Sequence, residues 1–140
     1  ASGVAQDMRL LKYAAYGGID FAPVTAEEGD SYARCAVRIG EIFQSVEIIR
    51  QCSEKIPGGA IEIKVTGLPE GEFYARTEQP RGEVIYYIKA NGTKNLERLR
   101  VRTPTFANIP PMLKIMTGCQ LADVPVLVLT IDPCISCTER

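Results

Sequence analysis

The longest periodic stretch of hydrophobic positions begins after Asp30 and ends near Ile56. Apolar side chains recur there at steps of three or four residues, which is the spacing of one face of an α-helix. Asp30 or Ser31 supplies the N-cap, and the Pro-Gly-Gly run at 57–59 ends the element. The pattern therefore predicts one long amphipathic helix of a helical bundle, with its neighbouring helices outside this sequence.

A second stripe on the same helix is polar. Its members follow one another at steps of four, three and four residues, and they are Arg34, Arg38, Glu41 and Ser45. Residues at these spacings are neighbours on a helix surface. Two interpretations stay open: a solvated face, or a buried polar seam against a partner subunit.

After residue 60 the hydrophobic period shortens to two. Ile61, Ile63 and Val65 alternate with polar residues, which predicts a half-buried strand. Further strands are predicted at 72–77, 83–90 and 96–101, and the Asn-Gly pair before the last of these is a strong hairpin signal. The middle of the chain is thus expected to form a small, mainly antiparallel sheet.

The remainder of the chain predicts a loop, a short helix and a final strand. Residues 102–106 are expected to form the loop, and Asn108 to cap a helix that has two prolines in its first turn and ends at Gly118. The apolar run at 124–131 is short, rich in β-branched residues and uncharged, so it predicts a buried strand. The predicted class is α+β, with 1–140 as one domain that ends in a buried strand followed by Cys-x-x-Cys.

Composition narrows the functional classes. The chain has 140 residues, 46% hydrophobic and 24% charged, with a formal net charge of −1. This balance fits one globular domain and gives no electrostatic footprint for nucleic acid. No apolar run approaches the roughly 20 residues needed to cross a bilayer. The small, polar first residues predict no signal peptide, and the missing initiator Met indicates trimming or a piece of a longer chain.

The cysteine and histidine content limits the chemistry further. Five cysteines at unequal spacings make a poor disulfide framework, so a reducing, cytosolic compartment is expected. The sequence has no histidine, which excludes a Ser-His-Asp triad, a Cys-His pair and His ligands to zinc from these residues. Any metal would be held by sulfur or carboxylate. Cys35 and Cys52 are expected to be inert packing residues.

The candidate chemistry is concentrated in the segment Asp-Pro-Cys-Ile-Ser-Cys-Thr-Glu-Arg at 132–140. Two thiols at this spacing can bind one metal centre together. By itself the pattern also fits a redox dithiol or half of a zinc site.

With its flanking residues, this segment closely resembles the C-terminal motif of nickel–iron (NiFe) hydrogenase large subunits. Glu-Gln-Pro-Arg-Gly at 78–82 resembles the loop that carries an arginine above the metals in that family. Arg-Thr-Pro-Thr at 102–105 resembles its cyanide-binding segment. The long helix is similar to that of energy-converting, membrane-bound hydrogenases and of their relative, the 49-kilodalton-type quinone-site subunit of respiratory complex I. The resemblance runs in order over nearly the whole chain.

The resemblance implies a nickel–iron centre with CO and cyanide ligands and four cysteine ligands. Two of these would be Cys134, terminal on nickel, and Cys137, bridging nickel and iron. The family's other Cys-x-x-Cys lies near its N-terminus in an Arg-x-Cys-Gly-x-Cys setting, which this sequence lacks, and Cys35 and Cys52 do not replace it. The chain is therefore expected to be the C-terminal portion of a large subunit, cut after Arg140 and inactive alone.

The resemblance also implies residues that act around the metals. Arg81 would place its guanidinium beside the open coordination position, oriented by the Asp132 carboxylate. Thr105 would donate to a cyanide ligand, with Pro104 in the same cofactor-binding segment. Contacts of this kind fix ligands and tune a metal.

The implied function is reversible H2 oxidation and proton reduction, with electrons exchanged with an iron–sulfur partner subunit and its clusters. The expected partners are the N-terminal part of the large subunit, the iron–sulfur small subunit and, indirectly, membrane subunits, on the cytoplasmic face of the membrane. One alternative is a relative that serves as quinone-site or structural subunit of a complex I-like NADH or ferredoxin:quinone oxidoreductase. Such subunits lack the cysteines, so Cys134 and Cys137 favour a hydrogenase. A small thiol or zinc module, with ligands borrowed from a second copy, is the other alternative.

Overall fold

The computed structural model of the chain describes residues 1–139. Arg140, after which cleavage is expected, lies outside the described residues. Three consecutive antiparallel strands lie between the long helix and the later helices, which confirms the α+β class. The elements are α1 (Ser31–Lys55), β1 (Glu70–Gln79), β2 (Gly82–Asn91), β3 (Leu96–Arg102), α2 (Pro104–Met116), α3 (Val124–Ile131) and α4 (Ile135–Thr138).

The long helix α1 forms as its periodicity predicts. The Asp30 carboxylate accepts a hydrogen bond from the Ala33 backbone N–H at 2.7 Å, so this residue is the N-cap. Most of the apolar stripe is exposed, including Ile39, Ile42 and Phe43. Arg34 and Arg38 of the polar stripe, in contrast, bond to other parts of this chain.

The sheet has the order β1-β2-β3, and both pairings are antiparallel. Gln79 pairs with Gly82, so Pro80 and Arg81 form a two-residue turn between β1 and β2. The strand predicted at 60–66 was wrong: this segment pairs with nothing in the described chain, and Ile61 is 105% exposed. Alternating apolar and polar residues form a strand only where a neighbouring strand can pair with the backbone and an apolar surface can cover the apolar side chains.

Helix α2 begins four residues before the predicted cap. Pro104 occupies its first turn after Thr103, because the fixed backbone angle of proline suits that position. The loop predicted at 102–106 is therefore wrong from Pro104 onward, and Asn108 is an interior residue of α2 rather than its N-cap. Val84 of β2 and Pro104 and Thr105 of α2 are fully buried, so part of the core lies between the sheet and this helix.

The buried strand predicted at 124–131 was also wrong, since these residues form the helix α3. A short run that is apolar at almost every position does not distinguish a buried strand from a buried helix, because it has no clear period. Leu127, Thr130 and Ile131 are the buried members, and their spacing is helical. Asp132 ends the helix in the left-handed conformation, with φ 53° and ψ 57°.

The lead-in before α1 contains two short 3-10 turns, at Met8–Leu11 and Ala14–Gly18. It packs on β1 through polar contacts: the Met8 backbone N–H donates to the Glu78 carboxylate at 2.9 Å, and the Glu78 N–H donates to the Tyr13 hydroxyl at 2.9 Å. Asp7 forms an ion pair with Arg9 at 2.6 Å. Within residues 1–139, no helix combines the length and the apolar character that a bilayer crossing requires.

Candidate metal centre

Cys134 and Cys137 lie on one helical turn. Cys134 is the N-cap residue of α4, and its carbonyl accepts from the backbone N–H groups of Cys137 and Thr138, each at 3.1 Å. The Thr103 hydroxyl donates to the Cys137 carbonyl. Both thiols are free and partly exposed. Since residues three apart on a helix are neighbours, the turn presents the two sulfurs on one side.

The two thiols differ electrostatically. The pKa of Cys134 is lowered to about 7, chiefly by its hydrogen bond with the Ser136 hydroxyl and also by bonds from Cys137. The Sγ of Cys134 and the Oγ of Ser136 are 3.2 Å apart. The pKa of Cys137 is raised by its hydrogen bond to Cys134 and by burial, although the positive charge of Arg81 acts in the opposite direction. The first negative charge of the pair therefore resides on Cys134, and the thiolate is the form that binds metals.

Arg81 and Asp132 are brought together as expected, although they belong to different elements. The Nη2 of Arg81 lies 3.2 Å from the Oδ2 of Asp132, and its Nε donates to the Asp132 backbone carbonyl. Arg81 projects from the β1–β2 turn, and Asp132 lies two residues before Cys134. The guanidinium is thus held next to the cysteine turn by a two-point contact.

The backbone around Arg81 is fixed on both sides. Its own carbonyl accepts from the Asn108 side-chain amide at 3.0 Å, and the preceding Pro80 carbonyl accepts from Arg38 Nη1 at 2.8 Å. Gly82 has φ +122°, a conformation that L side chains rarely adopt, and an added Cβ would lie 3.5 Å from Pro104. These contacts make the turn a rigid support for the Arg81 side chain.

Sequence reasoning missed the contributions of Arg38 and Asn108. Two members of the polar stripe of α1 bond to this chain itself: Arg38 also donates to the Thr130 carbonyl, and Arg34 donates to the Thr130 hydroxyl at 2.9 Å. The regular spacing of the stripe was the available signal for Arg38. Asn108, an amide inside the largely apolar helix α2, was the corresponding signal there.

Thr105 lies directly beneath the cysteine turn. It has no exposed surface, and its Oγ1 accepts a hydrogen bond from the Cys134 backbone N–H at 3.3 Å. Pro104 is buried next to it. All six residues singled out from the sequence therefore lie around the end of α3, the start of α2 and the β1–β2 turn.

A cleft of about 650 Å³ opens between α1, the lead-in and the β1–β2 turn, and Arg38, Glu41, Glu78 and Asp132 are among its lining residues. Burial raises the pKa of Glu78, while the hydrogen bond from the Met8 backbone N–H acts against that rise.

The donor set fits half of a nickel–iron centre. Thiolates are soft ligands suited to nickel and to low-valent iron, and Cys134 and Cys137 provide two of them on one turn. Among residues 1–139, no group of three or more Cys, Asp or Glu side chains is arranged to hold a metal ion. The remaining ligands of such a centre would have to come from another segment.

Comparison with known proteins places the chain in a defined group. The profile of the family described as "Respiratory-chain NADH dehydrogenase, 49 Kd subunit" matches residues 1–66 and 62–140. The carbon monoxide-induced hydrogenase of Rhodospirillum rubrum is 45% identical over 99% of this chain and 39% of its own length. The alpha subunit of the membrane-bound hydrogenase of Pyrococcus furiosus is 35% identical over 99% of the chain and 37% of its own length.

Relatives outside the hydrogenases match as well. An NADH-quinone oxidoreductase subunit of Desulfotalea psychrophila is 38% identical over 94% of this chain and 37% of its own length. Among solved structures, a chain of the membrane-bound sulfane sulfur reductase, an archaeal respiratory membrane complex, superposes with a TM-score of 0.86 at 30% identity. That match covers 99% of this chain and 40% of the other. The chain thus spans about two fifths of the length of the relatives it matches.

Proposed function

The chain belongs to the family of the 49 Kd subunit of respiratory-chain NADH dehydrogenase, and from this premise we propose that it is the C-terminal part of the large subunit of a membrane-associated nickel–iron hydrogenase. The family and its hydrogenase relatives are oxidoreductase subunits. The proposal adds the specific reaction, reversible oxidation of H2, and the residues that take part in it.

One observation carries the proposal: two thiols on a single turn face an arginine that is held in place from several directions. Cys134 and Cys137 lie on the α4 turn, and Arg81 is fixed beside them by the Asp132 carboxylate and backbone carbonyl. A redox dithiol needs no arginine held in this way. A metal centre with an open position does benefit from a fixed positive charge.

Cys134 and Cys137 would hold the centre as two of its four thiolate ligands. A nickel–iron centre with CO and cyanide ligands supplies, when bound, the site at which H2 is split into two protons and two electrons. One of these two sulfurs would accept a proton. Arg81 would stabilise negative charge beside the open position, while Asp132 keeps its guanidinium in one orientation.

Thr105 and Pro104 would belong to the segment that binds the non-protein ligands of the centre. The Thr105 hydroxyl accepts from the Cys134 N–H, so its own proton can be donated to a cyanide ligand. The Thr105 hydroxyl would then bond both to the backbone of the metal ligand Cys134 and to a cyanide ligand of iron. Contacts of this kind, made around the direct ligands, tune a metal site.

The metal ligands that this chain lacks indicate which other protein segments it would require. The N-terminal part of the large subunit would supply the second pair of cysteines, and an iron–sulfur subunit would receive or deliver electrons through its clusters. Membrane subunits would hold the assembly peripherally on the cytoplasmic side. The relatives named for membrane-bound complexes support the association with membrane subunits.

A second candidate follows from the split among the relatives. The match to an NADH-quinone oxidoreductase subunit at 38% identity favours a role as quinone-site or structural subunit of a complex I-like oxidoreductase. In that case the cysteines would carry no nickel, and the complex would reduce quinone without consuming H2.

Electron transfer by the purified, assembled complex separates the two candidates. We expect H2-dependent reduction of a viologen dye that is lost in Cys137→Ser and kept in Cys52→Ser, since Cys52 is exposed on α1. Quinone reduction by NADH or ferredoxin, with no H2 consumption in the wild-type complex, would support the second candidate and contradict the first.

A further inference from the structure

Arg38 connects three parts of the chain through one guanidinium. Its Nη1 donates to the Pro80 carbonyl at 2.8 Å and to the Glu41 carboxylate at 3.1 Å. Its Nε and Nη2 both donate to the Thr130 carbonyl, at 3.1 and 2.9 Å. Only 35% of the side chain is exposed. Arg38 therefore joins α1 to the β1–β2 turn and to the end of α3.

The two carbonyls belong to the segments that carry the candidate catalytic pair. Pro80 directly precedes Arg81, and Thr130 is two residues before Asp132. Arg38 itself has no hydrogen bond to Arg81, Asp132 or either cysteine in the described part of the chain. Its influence on that pair is therefore exerted through the backbone on both sides of it.

The backbone carbonyl of Thr130 needs a hydrogen-bond donor from outside α3, and Arg38 supplies it. It lies in the last turn of α3, where carbonyl groups lack an intrahelical partner. The N–H group that would continue the helix to it belongs to Cys134, and that group donates to Thr105 instead. The guanidinium satisfies the carbonyl and places positive charge at the negative end of the helix dipole.

The planar shape of the guanidinium suits this arrangement. One edge donates twice to Thr130 while the opposite nitrogen donates to Pro80 and Glu41, so the two backbone segments are held at a fixed separation. A lysine ammonium presents its donors from a single nitrogen atom and cannot reproduce that span.

From these contacts we propose that Arg38 is a positioning residue that sets the placement of Arg81 relative to Asp132; its catalytic consequence rests on the proposed function. Asn108 contributes at one point by holding the Arg81 carbonyl, whereas Arg38 is the side chain that bonds to both backbone segments. Loss of Arg38 leaves every group of the proposed site present and lets the two halves of the pair separate.

The test uses Arg38→Lys in the assembled complex, with Arg50→Lys as the matched control. Arg50 lies on the same helix and forms an exposed ion pair with Glu47 at 3.5 Å. Two quantities are measured: the distance between Arg81 Nη2 and Asp132 Oδ2 in a cryo-EM structure, and kcat and KM for H2 with nickel content checked.

We expect Arg38→Lys to keep its nickel, to lengthen the Arg81–Asp132 distance beyond hydrogen-bond reach, and to lower kcat by about tenfold to a hundredfold with little change in KM. A misplacement of about 1 Å at a reacting centre is sufficient for a loss of this size. Arg50→Lys should match the wild type. An Arg38→Lys complex with the original distance of 3.2 Å would overturn the proposal.

Arg38→Gln, which can donate to one carbonyl but not to both, is compared in parallel and should lengthen the same distance. If neither variant assembles while Arg50→Lys does, Arg38 is required for folding and the positioning role is rejected. If the wild-type complex shows no H2 turnover, the proposed function fails, but the measured distance still decides the role of Arg38.

Discussion

The buried hydroxyl of Thr105 accepts a hydrogen bond from the backbone N–H of Cys134 at 3.3 Å. This bond connects the first turn of α2 to the cysteine turn across 29 residues of sequence. The Thr103 hydroxyl makes a second connection, to the Cys137 carbonyl. The Thr-Pro-Thr segment therefore fixes the backbone of both candidate ligands before any metal is considered.

Thr105→Val should destabilise the protein by about 1–3 kcal/mol, because the isosteric side chain leaves the Cys134 N–H without its acceptor. Thr105→Ser keeps the hydroxyl and should lose less stability. The measurement is the Tm of the assembled complex for both variants. A Tm for Thr105→Val equal to that of the wild type would show that the hydrogen bond contributes nothing.

Arg81→Lys should keep the metal and lose most H2 turnover. Lysine retains the positive charge but cannot make the two-point contact with the Asp132 carboxylate and carbonyl. The checks are H2 uptake and nickel content of the variant complex. Full turnover with full nickel would remove Arg81 from the catalytic residues.

The ion pair of Asp7 and Arg9 predicts an acid-sensitive contribution to stability. Burial raises the pKa of Asp7, but the hydrogen bonds and charge of Arg9 outweigh it, so the folded-state pKa lies below the ordinary value. A lowered pKa gives stability that is present above the unfolded-state pKa and is lost as the pH falls through the folded-state pKa. Asp7→Asn should therefore narrow the difference in Tm between neutral pH and about pH 3. The control is Glu62→Gln, which likewise replaces a carboxylate with its amide but at an exposed position, and it should leave that difference in Tm unchanged. An equal effect of both variants on the difference in Tm would contradict this account.

The purified 140-residue chain should contain much less than one nickel per molecule. Two motif thiolates are present against the four that the proposed centre requires, and no larger ligand group occurs among residues 1–139. Elemental analysis after reconstitution with nickel and iron measures this directly. One nickel and one iron per chain would mean that these residues form a complete site.

Periodicity predicted the elements that have a distinct period. The three-and-four spacing of α1 and the Asn-Gly turn before β3 were sufficient, because each reflects local backbone geometry. The run at 124–131 is apolar at almost every position and therefore has no clear period, so its helical state depends on burial against neighbouring elements. The segment at 60–66 has a strand pattern but no partner edge in the described chain, and a pattern does not supply one.

The candidate site likewise contains residues that the sequence predicted and residues whose contacts only the structure revealed. Cys134, Cys137, Arg81 and Asp132 were found because they belong to short motifs whose flanking residues are distinctive. Arg38 and Asn108 act on backbone carbonyls that lie 42 and 27 residues away. A carbonyl carries no side-chain identity, so the sequence could mark Arg38 and Asn108 as unusual polar positions but could not indicate which backbone groups they bond.

Nickel content of the assembled complex tests the central claim most directly. Cys134→Ser and Cys137→Ser each replace a soft thiolate with a hydroxyl, whereas Cys52→Ser is the matched change at an exposed thiol of α1. The account predicts one nickel per large subunit in the wild type and in Cys52→Ser, and none above background in Cys134→Ser and Cys137→Ser. A wild-type complex without nickel, or motif variants that retain it, would contradict the assignment of these two cysteines to a nickel–iron centre.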